Sequence, residues 1–404
     1  MSSKYNRGSF QLMKSINRSI ILNMIRKNGP ISRAEIAKQT KLTPPTVSNI
    51  VKELLTSQFV IETTQGASQG GRKPTLLAIN AEHFYIIGID VGHYKMNFVV
   101  TNLFGEVRDS TLLRIKKYPT REDLLATMKN GINSLLQANK NDTEKFLGIG
   151  VGMHGIVDVD KGVSLFAPSF DLHDILIKEE LENEFKMVVK IENDARTMTL
   201  GESWFGNGKD ADNIVGINVG HGIGAGIMIN GRLFHGENNI AGEIGHVTID
   251  LSGPKCTCGN YGCLQTLAGG PAIAERAKKE LKAGKTSRIL DLIDHDIEKI
   301  DGETVYQAAC DGDDFSIQLL NQTGRFLGIG IVNLMHTLNP NRIIIGGGVA
   351  NAGSFLMEGL KGTIQSRGLT KEARETSIVL SSLGENASAY GACVLILEEF
   401  FLQH

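Results

Sequence analysis

Apolar residues recur at three- and four-residue intervals early in the chain, at Ile16, Ile20, Ile21, Met24 and Ile25. This period of one helix face predicts a helix from about Ile16 to Lys27, ended by Asn28-Gly29-Pro30. A second helix starts at Ser32, where Ser32-x-x-Glu35 reads as a capping box ahead of Ile36 and Ala37. After the break from Gln39 to Leu42, Thr43 is placed to cap a third helix with Pro44 at its first position. Val47, Ile50, Val51, Leu54 and Leu55 fall on one side of that helix, leaving Thr46, Ser48, Asn49 and Lys52 for the other. Beyond it the pattern changes to short apolar runs. Phe59-Val60-Ile61 and Leu76-Leu77-Ala78-Ile79 predict two strands around Gln69-Gly70-Gly71-Arg72-Lys73-Pro74.

From Tyr85 onward the apolar runs end in glycine or in polar groups. Tyr85 to Gly92 is a strand closing on Asp90 and Gly92, followed by a second strand from Met96 to Thr101. A helix near Arg121 to Gln137 leads to the strand Phe146 to Val151, and Val188 to Ala195 is a further strand that delivers Asn193 and Asp194 at its end. Asn213 to Gly220 repeats the grammar of Ile86 to Gly92, a weak internal repeat, and Arg342 to Val349 ends in three glycines. A closing helix is expected from about Ala387 to Phe400. Strands that end in small and polar groups predict an α/β fold with its ligand groups at the carboxyl ends of the strands.

Two short helices with a tight connection, the second polar on its outer side, form a helix-turn-helix, and the two strands add a wing. Arg33, Thr43, Thr46, Ser48, Asn49 and Lys52 are the candidates for contact with duplex DNA, where small polar and amide side chains read base edges. Arg72 and Lys73 at the wing tip offer cations to phosphate or to a narrow minor groove. Charge agrees with this assignment. Residues 1 to 80 carry twelve Lys and Arg against Glu35, Glu53 and Glu62, a net +9, which leaves −11 for the rest of a chain of net −2. A basic domain fused to an acidic one points to a polyanion partner for the first part only. The competing reading is a small solvated helical domain that binds a protein.

At 404 residues the chain is long enough for two or three domains, and 46 Gly against 9 Pro suits tight strand-to-helix turns. No apolar run reaches the length of a membrane span, and a cytoplasmic location is expected. Three of the five cysteines, Cys256, Cys258 and Cys263, stand close together among Gly253, Pro254, Gly259 and Gly262. With His246 they form the four-donor set of a structural zinc site, although C-x-C is tighter than the common C-x2-C. Three free thiols in a loop is the alternative. Cys310 and Cys393 read as small buried residues. Glu243 lies three positions before His246, so a metal on His246 would also fix a carboxylate suited to a sugar hydroxyl.

Gly242-Glu243-Ile244-Gly245-His246, followed by C-x-C-G-x-x-G-C from Cys256 to Cys263, resembles the signature of the ROK family of sugar kinases and sugar-responsive repressors. Ile31-Ser32-Arg33-x-Glu35-Ile36-Ala37 and Gly71-Arg72-x-Pro74 resemble the winged helix of its repressors. The resemblance implies a two-lobed, actin-like (ribonuclease H-like) ATPase fold. It places Glu192-Asn193-Asp194 at the sugar, its Asp being the catalytic base in the kinases, and His154 in a sugar-proximal loop, Gly152 to Asp158. A histidine satisfied within that loop, or a plain helix N-cap at Asn193 or Asp194, would account for these residues without a ligand. Gln265 stands where many members have a sugar-contacting Glu. At the two phosphate loops the chain departs from the kinases: His93-Tyr94-Lys95 replaces small residues, and His221 replaces Thr. Bulky rings there obstruct close approach of the backbone to phosphate.

The expected organisation is a winged helix-turn-helix over residues 1–80 and two actin-like lobes over 81–207 and 208–404, the second carrying the zinc loop at 256–263. The expected function is that of a sugar-responsive repressor without enzyme activity. A monosaccharide is bound by Asn193, Asp194, Glu243, His246, His154 and Gln265, and a homodimer or higher homo-oligomer reads inverted half-sites of operator DNA. Xylose is the first choice of inducer, from the resemblance to xylose repressors. The alternatives are an ATP-dependent sugar kinase with a DNA-binding appendage, and a regulator that senses a transporter protein. Replacing Arg72 and Lys73 by Ala should weaken binding to all duplexes and flatten its salt dependence, whereas Asn49→Ala should relax sequence preference, both read from titrations of specific and scrambled duplexes.

Overall fold

The computed structural model describes residues 10–65 and 74–401. Helix α1 (Phe10–Asn28) begins well ahead of the expected start. No Gly or Pro interrupts Phe10 to Asn28, and Gln, Leu, Met and Lys at its beginning are good helix formers. Strand β1 (Ile31–Ser32) precedes helix α2 (Arg33–Thr40). The Ser32 hydroxyl oxygen accepts the Glu35 N–H at 3.2 Å, but the Glu35 carboxylate takes Gln39 Nε2 at 2.7 Å. The Glu35 carboxylate is thus spent within the helix, a use the spacing did not predict. Helix α3 (Pro44–Thr56) is capped by Thr43, whose hydroxyl oxygen accepts the Thr46 N–H at 3.4 Å. Strands β2 (Val60–Gln65) and β3 (Thr75–Ile79) pair antiparallel, and β1 joins the other edge of β3. The wing tip with Arg72 and Lys73 lies outside the described residues.

Two five-stranded sheets follow, and both have the same order. In the first, β4 (Tyr85–Val91), β5 (Lys95–Thr101) and β6 (Val107–Arg114) run antiparallel, and helix α4 (Arg121–Ala138) crosses to β7 (Phe146–Met153), which pairs parallel with β4. A small antiparallel sheet of β8 (Ile156–Asp158), β9 (Val163–Ala167) and β10 (Leu172–Ile175) and helix α5 (Ile177–Phe185) precede β11 (Val188–Asn193), parallel to β7. Helix α6 (Asp194–Phe205) then leads to the second sheet. There β12 (Ile214–Val219), β13 (Ile223–Ile229) and β14 (Arg232–Leu233) run antiparallel.

The metal-donor loop and helices α7 (Gln265–Ala268), α8 (Gly270–Lys282), α9 (Ile289–Leu292), α10 (Gly302–Cys310) and α11 (Asp314–Leu338) come next. Strand β15 (Arg342–Gly346) pairs parallel with β12. Helices α12 (Ser354–Arg367) and α13 (Lys371–Arg374) lead to β16 (Ser377–Leu380), parallel to β15, and the described chain ends in α14 (Ala387–Phe401). The strand orders β6-β5-β4-β7-β11 and β14-β13-β12-β15-β16 are the same arrangement made twice, which turns the weak repeat in the sequence into a duplicated topology.

Helices α6 and α14 lie side by side between the sheets, α6 against β12 and β13 and α14 against β4 and β7. Gly391 allows this approach, because a Cβ there would sit on the Thr197 carbonyl of α6. The DNA-reading segment is not tethered loosely. Ile21, Leu22 and Ile25 of α1 and Val47, Ile50 and Leu54 of α3 share one apolar core with Ile86 of β4 and Ile396, Leu397 and Phe401 of α14.

Candidate functional site

The carboxyl ends of β4, β7, β11, β12 and β15 open onto one cleft of about 1670 Å³ between the two sheets. Asn193, Asp194, Glu243, His246, His154 and Gln265 all line it, as do Asp90, His93, His221 and Ser388. Residues far apart in sequence therefore meet where open α/β sheets gather ligands.

Asn193 caps α6: its Oδ1 accepts the N–H of Ala195 at 2.9 Å and of Arg196 at 3.3 Å, and its Nδ2 donates to the Gly155 carbonyl at 2.9 Å. The helix-cap role is thus real, and it orients the amide at the cleft wall. Asp194 accepts from Asn218 Nδ2 at 3.0 Å. Burial raises the Asp194 carboxyl above its ordinary range, with hydrogen bonds from its own helix start and from Asn218 opposing. Asp90 is pushed up to about 7 by burial and by the charge of Asp194, against a hydrogen bond with Ser388. Glu243 is raised by burial too, with His246 pulling it down and Asp194 adding to the rise. Burial thus raises the proton affinity of all three carboxyls, and a carboxyl accepts a hydrogen bond from an alcohol when ionised and can donate one when protonated.

Beneath them lies a network that sequence reasoning missed. Glu192 pairs with Arg196 at 3.2 Å and with His235 at 2.6 Å, while Arg196 donates to the carbonyls of Asn239 at 2.7 Å and Ala241 at 2.9 Å. The loop before Glu243 is therefore fastened to the helix that starts at Asp194. A lone Arg in an ordinary helical stretch gave no signal of this, and the acid at Glu192 stood in plain view as part of Glu192-Asn193-Asp194.

Toward the phosphate-loop end the geometry is different. His93, after β4, and His221, after β12, stack face to face across the cleft, ring centroids 4.0 Å apart at 15°. Burial lowers His93 to about 4, helped by the charges of His221 and His154, and burial also lowers His221, so both rings are neutral near pH 7. Lys95 reaches Glu385 at 2.5 Å. Two rings and an ion pair occupy the turns whose backbone would otherwise cradle an anion. His154 meets the Val91 carbonyl through Nδ1 at 3.2 Å; a carbonyl only accepts, so Nδ1 carries the proton and Nε2 is an acceptor. Nε2 has no partner among the described residues.

The donor atoms of His246, Cys256, Cys258 and Cys263 all lie within 4.8 Å of one another. Cys256 Sγ is 3.7 Å from His246 Nδ1, and Cys258 Sγ is 3.7 Å from Cys263 Sγ. A tetrahedral ion with sulfur at ~2.3 Å needs ligand separations of about 3.7 Å, so the set fits a metal ion. The loop is folded for it: the Cys256 N–H donates to the Asn260 carbonyl at 2.7 Å, and Gly262, at φ +63°, passes so close to Asp250 that a Cβ would strike its carbonyl. Gln265 departs from expectation in part. It lines the cleft, but its Nε2 points to Cys256 Sγ at 3.4 Å, a donor to the metal loop that a Glu could not supply.

On the helix-turn-helix, Ser48, Asn49 and Lys52 are exposed on the outer side of α3. The hydroxyls of Thr43 and Thr46 are 2.9 Å apart and engaged in the cap. Arg33 is held by Glu62 at 2.8 Å, so its guanidinium is shared with β2. Among the described residues no helix is long and apolar enough to cross a membrane.

A sequence profile of the ROK family matches residues 86–399. The chain belongs to the ROK family. A profile of winged helix-turn-helix DNA-binding domains matches residues 16–60. The xylose repressor of Caldicellulosiruptor bescii is 32% identical over 392 residues, 97% of this chain and 98% of its own. Among solved structures, a ROK family transcriptional regulator homologous to the Escherichia coli MLC protein superposes with a TM-score of 0.85 at 30% identity, covering 96% of this chain and 97% of its own. A ROK glucokinase from Streptomyces griseus, solved with glucose and AMPPNP, superposes with a TM-score of 0.69 at 27% identity over 77% of this chain and 98% of its own. ROK repressors and ROK kinases are thus both among the chain's likenesses.

The half-buried ring of His154, its Nε2 shielded from solvent, carries a pH prediction. Its pKa is lowered to about 4 by burial, with the Val91 hydrogen bond opposing and His221 adding. In the unfolded chain a histidine titrates near ~6.5, so below that pH the unfolded state takes a proton that the folded state refuses. Stability is complete above ~6.5 and falls toward pH 4, by roughly 3 kcal/mol for this group. In denaturant melts at pH 7 and pH 4.5, His154→Gln should show a clearly smaller acid-induced loss than the wild type.

Proposed function

We propose that this ROK protein is a transcriptional repressor that binds operator DNA through its winged helix and releases it when a monosaccharide enters the cleft. The observation that carries this reading is the contrast within one cleft. Polar groups matched to hydroxyls converge at one end, while the His93–His221 stack stands at the turns of the phosphate-loop end. Asn193, Asp194, Glu243 and His246 are the proposed sugar contacts, with His154 and Gln265 at the margin. The repressor likeness over nearly the full chain supports the same reading. Two-fold dimers match inverted half-sites, and a homodimer is the proposed working form. Xylose is the first sugar to test.

A kinase reading is favoured by one observation: Asp194 is a buried, proton-attracting carboxyl beside the proposed sugar position, as a general base must be. Calorimetric titration with D-xylose, D-glucose, N-acetyl-D-glucosamine and ATP, then operator binding with each sugar, separates the two. The expected result is a sugar that binds and releases DNA with no ATP binding; sugar phosphate formed from ATP would overturn it.

We assign zinc to the ion of the Cys3His cluster, since thiolates and imidazole at these separations suit tetrahedral zinc. Metal analysis of freshly purified protein should find about one zinc per chain, and Gly262→Ala, which pushes the loop off Asp250, should lower that content.

A further inference from the structure

Helix α6 touches both ends of the proposed response. Its first turn carries Asn193 and Asp194 at the cleft, and its 12 residues span about 18 Å. Near its other end stands Trp204, which packs against two cores: the one shared by α1, α3 and α14, and the one under the second sheet with Leu200, Ile214 and Ile344. The guanidinium of Arg26, in the last turn of α1, lies 4.0 Å from the centre of the Trp204 ring and 5.7 Å from that of Phe401. Arg26 is also within electrostatic reach of Glu398 on α14. Glu398 in turn is within electrostatic reach of Glu192 and His235, the network that fastens α6 to the loop before Glu243. A cation over an indole ring has a narrow optimum and gains strength where water is scarce, so a small shift of α6 alters it.

We propose that α6 transmits ligand occupancy to the DNA-binding helices, and that Arg26 over Trp204 is the contact through which it does so. The inference rests on the sensor reading above and adds the route. Among the described residues Arg26 is not part of the cleft lining; it acts by positioning α1, which packs on both α2 and α3. Because α6 is one continuous helix, a displacement of its capped end by a bound sugar moves its far end as a rigid body. Reciprocity then requires operator DNA to weaken sugar binding by the same factor by which sugar weakens operator binding.

Trp204 is the only tryptophan in the chain, so its fluorescence reports this contact directly. The test uses the full-length zinc-loaded protein, an operator selected from a random duplex pool with the wild type, and D-xylose, D-glucose and N-acetyl-D-glucosamine as probes. In the wild type, the sugar that binds should shift Trp204 emission and weaken operator binding by about tenfold, within the usual range of allosteric coupling. Arg26→Met, which keeps length and loses charge, should bind sugar and operator separately with wild-type constants, while the tenfold effect shrinks below about twofold. Arg26→Lys, which retains a cation over the ring, should keep most of the coupling. A full wild-type coupling factor in Arg26→Met overturns the route while leaving the sensor reading intact. A wild type whose operator binding ignores every sugar overturns the sensor reading and the route together.

Discussion

Arg196 is a cation with almost no water around it, at 2% exposure. Its acceptors come from three places: the Glu192 carboxylate at the end of β11 and the carbonyls of Asn239 and Ala241 beyond β14. A buried guanidinium that loses its acceptors costs several kcal/mol, so these segments cannot separate without a large penalty. One belongs to the first sheet and the others lead into Glu243. This side chain thereby sets the two walls of the cleft against each other, together with the Asp194–Asn218 hydrogen bond. The contribution is one of geometry more than of net stability, since burying the charges offsets much of what their attraction provides. Everything proposed for the ligand site depends on this registration of Asn193 and Asp194 with Glu243.

The same fold is tuned differently at the two ends of the cleft. At the hydroxyl-matched end, burial raises the proton affinity of Asp90, Asp194 and Glu243, and the charge of Asp194 adds to the rise of the other two. At the other end, neutral imidazoles stack where small residues would leave backbone amides open. Burial drives both outcomes, raising the acids and lowering the bases.

Much of this was legible in the chain. Strand ends at Asp90, Asn193 and Gly220 fell within a residue or two of where the apolar runs placed them, because buried parallel strands write themselves as continuous apolar stretches. The Cys3His set was legible because thiols and glycines cluster in few other contexts. Thr43 and Pro44 announced α3 through local chemistry alone. What escaped was long-range. Nothing in the spacing showed that Glu35 would turn to Gln39, that Gln265 would face Cys256, or that Arg196 would clamp a loop far along the chain. Strand β6, with alternating exposed positions at a sheet edge, also left too weak an apolar signal. Side chains that act between elements carry no local period to read.

The apolar core that α1 and α3 share with α14 sets the order of events during synthesis. Domains usually fold as they leave the ribosome, N-terminal first. In this chain the first helices emerge with core residues of their own, Ile21, Ile36, Val47 and Leu54 among them, but without Ile396, Leu397 and Phe401, which join that core from near the far end of the described chain. The core under the helix-turn-helix is therefore complete only once α14 has been made. A nascent fragment lacks that part of the cover, so the segment that carries the helix-turn-helix gains its last packing from the opposite end of the described chain.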